Sequence, residues 1–293
     1  DVARFGDYAS PQYGTIKSSE NYERRFIMTF PNETLPKGRK QKTTALYDRF
    51  VNQGAVMGDS FGLENVLWFA NNKEDAHEEP TIKRSRSHDY VSKEVINVRE
   101  NVGLIEVANF SKHEFKGPDA RKFLDHIMAG RLPKPGRISL SPMLSYRGKL
   151  CGDLTVTCLD ENEFMVFGSG AAQEMHRRWF ESHLDKFNLN YKNRSDEFHG
   201  LSIAGPNSRK VLEKIVRDDV SNEKFKFRDS RRMFVGGVPA IINRISFTGE
   251  LGYEIYVAPH YQLKLYEELM EAGKEFNIKP FGGRALMLSL IHI

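Results

Sequence analysis

Cysteine is nearly absent: Cys151 and Cys158 are the only two in 293 residues. Two thiols cannot build a disulfide framework or a four-ligand zinc site, and such sparse usage points to a reducing compartment rather than secretion. No apolar run approaches the roughly 20 residues needed to cross a bilayer. With 40% hydrophobic and 28% charged residues and a mean hydropathy of -0.52, a membrane-spanning or disordered chain is excluded and a soluble globular one expected. Excess charge is also missing. The 43 Lys and Arg against 39 Asp and Glu leave +4, too little to indicate nucleic acid but suited to an anionic small molecule. The chain opens on Asp1 instead of Met and stops at Leu288-Ser-Leu-Ile-His-Ile293 without a terminator, so it reads as a piece of a longer protein. At 33.6 kDa the piece has material for about two domains.

Residues 1–49, rich in aromatics and charge, read as the tail of a preceding domain and a connector, with a turn between Pro31 and Pro36 and the basic Lys37-Gly-Arg-Lys-Gln-Lys42. A short helix is expected over 45–50 and a charged surface loop over 71–86. Val102-Gly-Leu-Ile-Glu-Val107 is strand-like, and Phe123, Leu124, Ile127 and Met128 are spaced as on an amphipathic helix, so a strand leads into a helix. Hairpins follow over 141–167, with a helix over 172–184. A second strand-then-helix unit at 201–212 shares the Gly-Pro of the first. A hairpin over 242–257 and a helix over 261–272 complete a pattern of segregated hairpins and helices, which argues for α+β.

Standard catalytic motifs are scarce. Gly168-Ser-Gly170 follows a strand, yet its sixth position is Gln173, so it reads as the turn that starts a helix and not as a dinucleotide fingerprint. No phosphate-cradling Gly-x4-Gly-Lys occurs. His176 and His183 lack a third ligand and read as solvated, as does the Lys83-Arg-Ser-Arg86 run. Two carboxylates stand out. Strand alternation puts Leu150, Leu154, Val156 and Cys158 on one face and Asp153, Thr155 and Thr157 on the other; it likewise separates Tyr253, Ile255 and Val257 from Glu254 and Tyr256. Glu254 is thereby expected off the core face. Alternation alone leaves each acid open between an ordinary strand-surface role and a functional one.

Four ordered blocks carry a resemblance: residues 102–124, Gly148-Lys-Leu-Cys-Gly-Asp-Leu-Thr-Val156, Leu201-Ser-Ile-Ala-Gly-Pro-Asn-Ser-Arg209 and Ile245-Ser-Phe-Thr-Gly-Glu-Leu-Gly-Tyr-Glu-Ile-Tyr256. Together they resemble the folate-binding aminomethyltransferases, the fold of the glycine-cleavage T-protein and of the C-terminal half of dimethylglycine and sarcosine dehydrogenases. Residues 20–54 with Gly62-Leu-Glu-Asn-Val-Leu-Trp-Phe69 resemble the end of the FAD-dependent oxidoreductase central domain that the dehydrogenases carry. The resemblance implies 1–55 as that domain's end and connector, 56–287 as a folate-binding α+β cloverleaf, and 288–293 as a doubtful tail, since the match stops at Met287.

It further implies tetrahydrofolate as cofactor, with FAD only in the full-length protein. The substrates would be an N-methylated glycine and folate, with an electron-transfer flavoprotein as partner and no nucleic acid or membrane. The location implied is cytoplasmic, or the mitochondrial matrix in a eukaryote. Asp153 matches the family's carboxylate beside the reacting folate nitrogens, and Glu254 its pterin-binding glutamate, flanked by Ile255 and Tyr256. Phe247 falls where an aromatic contacts the pterin, and Leu150, Cys151 and Gly152 would line the same pocket. Two other readings stay open: a stand-alone T-protein-like transferase served by a lipoyl carrier, and a non-catalytic subunit of the pyruvate dehydrogenase phosphatase regulatory type. Retention of Asp153 and Glu254 favours an enzyme.

Overall fold

The computed structural model describes residues 10–31 and 33–291, with side chains as far as Met287. Along the chain run α1 (Pro11–Glu23), α2 (Tyr47–Asn52), β1 (Ala55–Ser60), β2 (Leu63–Phe69), α3 (Ser87–Glu100), β3 (Val102–Glu106), β4 (Phe110–Lys116), α4 (Ala120–Ile127), β5 (Arg137–Leu144), β6 (Leu150–Asp160) and β7 (Glu163–Ser169). There follow α5 (Gln173–Glu181), β8 (Asn190–Asn193), β9 (His199–Ala204), α6 (Ser208–Ile215), β10 (Ser230–Val235), β11 (Val238–Asn243), β12 (Gly252–Val257), α7 (Gln262–Gly273), β13 (Ile278–Pro280) and α8 (Gly283–Ile291). Of the expected leading domain, residues 1–9 lie outside the described residues, as do 292–293 of the doubtful tail. Within the lead, α1 forms where no helix was expected: Ser10 caps it by accepting from the Tyr13 N–H at 2.9 Å, and Pro11 fills the first turn.

The two Gly-Pro units turn out to serve two different sheets. Gly117 follows β4 at φ 142° and Gly205 follows β9 at φ 126°, each turning the chain into a helix, α4 or α6. A Cβ on Gly205 would sit 2.4 Å from the Val98 carbonyl oxygen, so only glycine fits. The strand that feeds the first helix is β4 rather than the expected 102–107 segment. That segment, β3, belongs to the other sheet. One sheet runs β5-β6-β7-β4-β8 and is antiparallel throughout. The other runs β10-β11-β12-β9-β3-β13, antiparallel except for the parallel β13–β3 pair. The α+β expectation is met.

Three apolar layers hold these parts. Phe123 and Leu124 of α4 and Phe180 of α5, all fully buried, cover one face of the five-stranded sheet against Leu154, Val156 and Phe164. Val211 and Leu212 of α6 with Leu265 and Leu269 of α7 cover the outer face of the six-stranded sheet over Tyr253 and Ile255. Between the sheets lie Met165 and Phe167 of β7, Ile241 of β11 and Tyr256 of β12. Each such side chain contributes about 1.5–3 kcal/mol on burial. The β12 strand is therefore buried on both faces along its whole length.

A buried acid fastens the leading hairpin to this body. Glu94 of α3 accepts from the Phe69 N–H at 2.7 Å and the Gly282 N–H at 3.0 Å, and burial pushes its carboxyl up to about 7 against these two bonds. A carboxyl raised in the folded state binds more protons there than in the unfolded chain. Its stabilising contribution is then full at acid pH and lost as pH rises through about 7. Relative to wild type, Glu94→Gln should gain up to about 3 kcal/mol between pH 5 and pH 8. Urea midpoints of both proteins at the two pH values check this; a constant difference would show that Glu94 does not titrate in the fold.

Candidate functional site

The site builds outward from β6. Its fully buried Leu154, Val156 and Cys158 face α4 and α5, so Asp153 and Thr155 take the opposite face, the one on which Phe167 and Met165 meet the six-stranded sheet. Asp153 is exposed at the open end of that face. Leu150 departs from its expected partners: the register shifts so that Met143 pairs Gly152 and Leu144 pairs Leu150, leaving Cys151 as an extra residue. Leu150 is consequently 64% exposed and does not join the core face, while Cys151 is half-buried. Gly152 is packed tightly, since a Cβ there would meet His176 Nε2 at 2.8 Å. His176 itself is buried, contrary to the solvated reading, whereas His183 sits past the end of α5 and contacts Tyr146.

The Gly168-Ser-Gly170 turn does start a helix. Its glycines are used for close approach, Gly170 to the Asn109 carbonyl and Gly168 to Leu154.

Glu254 lies opposite Asn243 and Ser202 in neighbouring strands. It does face away from Tyr253 and Ile255, but that second face is covered too, which corrects the expectation of a side chain clear of the core. Its Oε2 accepts from the Tyr256 hydroxyl at 2.8 Å, and the Tyr256 ring stacks on Phe167 at 4.5 Å. Ile255 points the other way, into the layer under α6 and α7. Burial pushes the Glu254 carboxyl up to about 7, opposed by the Tyr256 hydrogen bond and by Lys112.

Two charged groups here were not singled out from the sequence. Lys112 of β4 is fully buried; its Nζ donates to the carbonyl oxygens of Ala108 at 3.0 Å and Phe110 at 2.6 Å and lies 6.0 Å from the Tyr256 ring centre. Burial pulls its ammonium down to about 7, while Asp196, Glu106 and Glu254 act to keep it charged. Glu106, at the end of β3, is pushed up to about 7 by the same desolvation, offset by hydrogen bonds from Thr44 and Gln262 and by Lys112. A lysine thus shares a low-dielectric interior with two acids, where the ammonium and each carboxylate stabilise one another's ionised forms.

A cavity of about 940 Å³ opens beside this group, lined by Ile105, Glu106, Val107, Phe110 and Phe247 and roofed by the 78–88 segment. The half-exposed Phe247 ring stands 6.3 Å from that of Phe110. Of the eight residues picked out from the sequence only Phe247 lines this cavity. Asp153 is exposed at the open end of the inter-sheet face, and Glu254 is closed off by Tyr256 and Phe167. Among the described residues no cluster of three or more His, Cys, Asp or Glu is placed to hold a metal ion.

Comparison with known proteins places this architecture. Residues 46–290 match the family model described as the GCVT N-terminal domain, and residues 1–44 match that of the FAD dependent oxidoreductase central domain. The mitochondrial dimethylglycine dehydrogenase of Mus musculus is 34% identical over 290 residues, covering 98% of this chain and 33% of that protein. An aminomethyltransferase of Thermoanaerobacter pseudethanolicus is 30% identical over 188 residues, 63% of this chain and 50% of that one. The chain thus spans about a third to a half of the length of these relatives. The crystal structure of the glycine cleavage system aminomethyltransferase T from Bartonella henselae superposes with a TM-score of 0.71 at 22% identity, covering 86% of this chain and 62% of that one, and shares its fold. Matched by the model over most of its length and folded as that aminomethyltransferase is, the chain belongs to the GCVT N-terminal domain family.

Proposed function

We propose that the chain is the folate-binding part of an FAD-dependent dehydrogenase of the dimethylglycine or sarcosine type, transferring the one-carbon unit of an oxidised N-methyl group to tetrahydrofolate. The observation that carries this reading is the order of the two matches, flavoenzyme central domain at 1–44 and GCVT domain at 46–290, on one continuous chain. A stand-alone transferase would have no use for the first. The flavin, held in a part of the protein other than this one, supplies oxidation of the N-methyl group to an iminium.

The residues present fit a folate. A cavity of about 940 Å³ is within the usual range for a ligand of this size, and its apolar lining with Phe110 and Phe247 suits aromatic rings. Glu254 does not line this cavity; with the Tyr256 side chain swung aside it is a carboxylate able to accept paired hydrogen bonds from a pterin ring N–H and 2-amino group. Lys112 and Tyr256 favour its ionised form. At Asp153 the need is a proton acceptor. Bound tetrahydrofolate would supply the acceptor of the one-carbon unit, and the transfer to it would release one hydrogen to the departing amine and one proton to a base of the protein. A carboxylate open to solvent, carried on a rigid strand, is suited to take it.

The test is calorimetry on the 293-residue chain and on the same chain extended by the C-terminal residues of its gene. Tetrahydrofolate should bind and FAD should not. Heat of FAD binding at micromolar concentration, or no folate binding by the extended protein, would reject the assignment.

A further inference from the structure

We propose that Ser111, His113 and His176 form an internal site for one ordered water molecule, and that through this site His176 positions Asp153 from the far face of the five-stranded sheet. The second half rests on the role given to Asp153 under the proposed function. The first half rests on geometry alone.

Ser111 and His113, two apart on β4, share a face and are fully buried; His176 of α5 is 2% exposed. His176 Nε2 lies 3.3 Å from the Cys151 carbonyl oxygen. A carbonyl only accepts, so Nε2 carries the ring proton and Nδ1 of the neutral ring is an acceptor. That Nδ1, the Ser111 Oγ and the His113 Nε2 are all buried without a hydrogen-bond partner among the described residues. The other His113 nitrogen is taken by the Tyr191 hydroxyl at 2.8 Å.

Two of these atoms flank one point, and the His113 ring lies beside them. Ser111 pairs with Gly168 of β7, and a Cβ built on Gly168 would lie 3.0 Å from both Ser111 Oγ and His176 Nδ1. The two imidazole rings are 6.3 Å apart, near edge-on. Three unpaired polar atoms in one dry layer are costly. A single water, with two hydrogens and two lone pairs, satisfies all three: it donates to His176 Nδ1, accepts from His113 Nε2–H and pairs with the Ser111 hydroxyl. Burial lowers the affinity of both rings for a second proton, which keeps them in the neutral forms this arrangement needs.

The consequence reaches the other side of the sheet. Cys151 is the extra residue where β5 and β6 shift register, and His176 donates to its carbonyl while packing on Gly152. The Cys151 carbonyl selects the tautomer of His176, the water anchors the ring through its other nitrogen, and His176 holds the backbone two residues ahead of Asp153. His176 is a positioning residue, on the face of the sheet opposite to Asp153.

Nitrogen-15 histidine labelling of the 293-residue chain and long-range proton–nitrogen NMR at pH 7 read the tautomer directly. His176 should be neutral with its proton on Nε2, and its ring should show cross-relaxation to a water bound for longer than a nanosecond. A ring that is charged, or protonated on Nδ1, or free of water contact overturns the site. The positioning arm uses two variants in the intact flavoenzyme. His176→Gln keeps an amide N–H for Cys151 and an oxygen for the water, whereas His176→Phe keeps only the shape. The Phe variant should lower kcat for one-carbon transfer about 10-fold with little change in KM for folate, and the Gln variant should recover to within about threefold of wild type. An equal loss in both variants, or a loss confined to KM, overturns the positioning role. Absence of folate turnover in the wild type would instead remove the proposed function while leaving the NMR result to decide the water site.

Discussion

Replacing Asp153 with Asn in the intact flavoenzyme is expected to leave amine oxidation nearly unchanged while slowing formation of 5,10-methylenetetrahydrofolate by roughly 10²-fold or more. Formaldehyde should accumulate in its place. The balance of the reaction requires one proton to be taken up as the carbon bridges the folate nitrogens, and an amide at this position cannot take it. The side chain is exposed and its strand neighbours Leu154 and Val156 are fully buried on the opposite face, so the substitution should alter stability by no more than about 0.5 kcal/mol. Amine consumed, formaldehyde released and methylenetetrahydrofolate formed are measured in one assay. An unchanged product ratio in the variant would take Asp153 out of the mechanism.

The second large effect is at Glu254, where binding and folding are both engaged. Truncation to Ala should weaken folate binding by about 1.5–3 kcal/mol, the scale of hydrogen bonds to a charged group, or roughly 10- to 150-fold in Kd. It also removes the acceptor of the Tyr256 hydroxyl and one of the acids that keep buried Lys112 charged, so melting should fall as well, by several degrees. Glu254→Gln separates the two. Its amide oxygen still accepts from Tyr256, preserving the fold, but its amide nitrogen is a donor facing the pterin donors, so affinity should fall with little loss of stability.

The wild-type carboxyl, pushed up to about 7, adds a pH signature. As pH rises from 6 to 8 the group ionises and folate affinity should strengthen, while its contribution to folding, full below its unfolded value, is lost over the same rise. In Glu254→Gln the local pH dependence should disappear. If the Gln variant binds folate as the wild type does, Glu254 is a structural acid.

Much of the architecture was legible in local chemistry. The spacing of Phe123, Leu124 and Ile127 gave α4, and the repeated Gly-Pro marked two strand-to-helix turns whose glycines adopt positive φ. Alternation along β6 correctly set Asp153 against Leu154, Val156 and Cys158, because side chains two residues apart on a strand must share a face. The same rule separated Glu254 from Tyr253 and Ile255. Where pattern was absent the reading failed: α3, with Ser87, Val91, Glu94, Asn97 and Val98 buried, shows too mixed a stripe to stand out.

What covers a face is a different matter, and only the tertiary structure decided it. Alternation tells which side chains lie together but nothing about the layer that closes over them. The second face of β12 is buried because β7 brings Phe167 onto Tyr256, from a strand nearly ninety residues earlier in the chain. In Phe110-Ser-Lys-His-Glu-Phe-Lys116 a charged alternation resembles a solvated edge, yet β4 lies inside its sheet between β7 and β8 and carries Lys112 and His113 into the interior. His176 reads as one more polar residue on a helix until α5 lays it over Gly152 and Gly168. The sequence by itself determined the hairpin strands, the two faces of β12 and of β6 beyond its bulge, and the outward carboxylate, but not β4, β8, β10 or β13; long-range packing decided which polar groups lost their water, and with it which of them titrate, pair or position others.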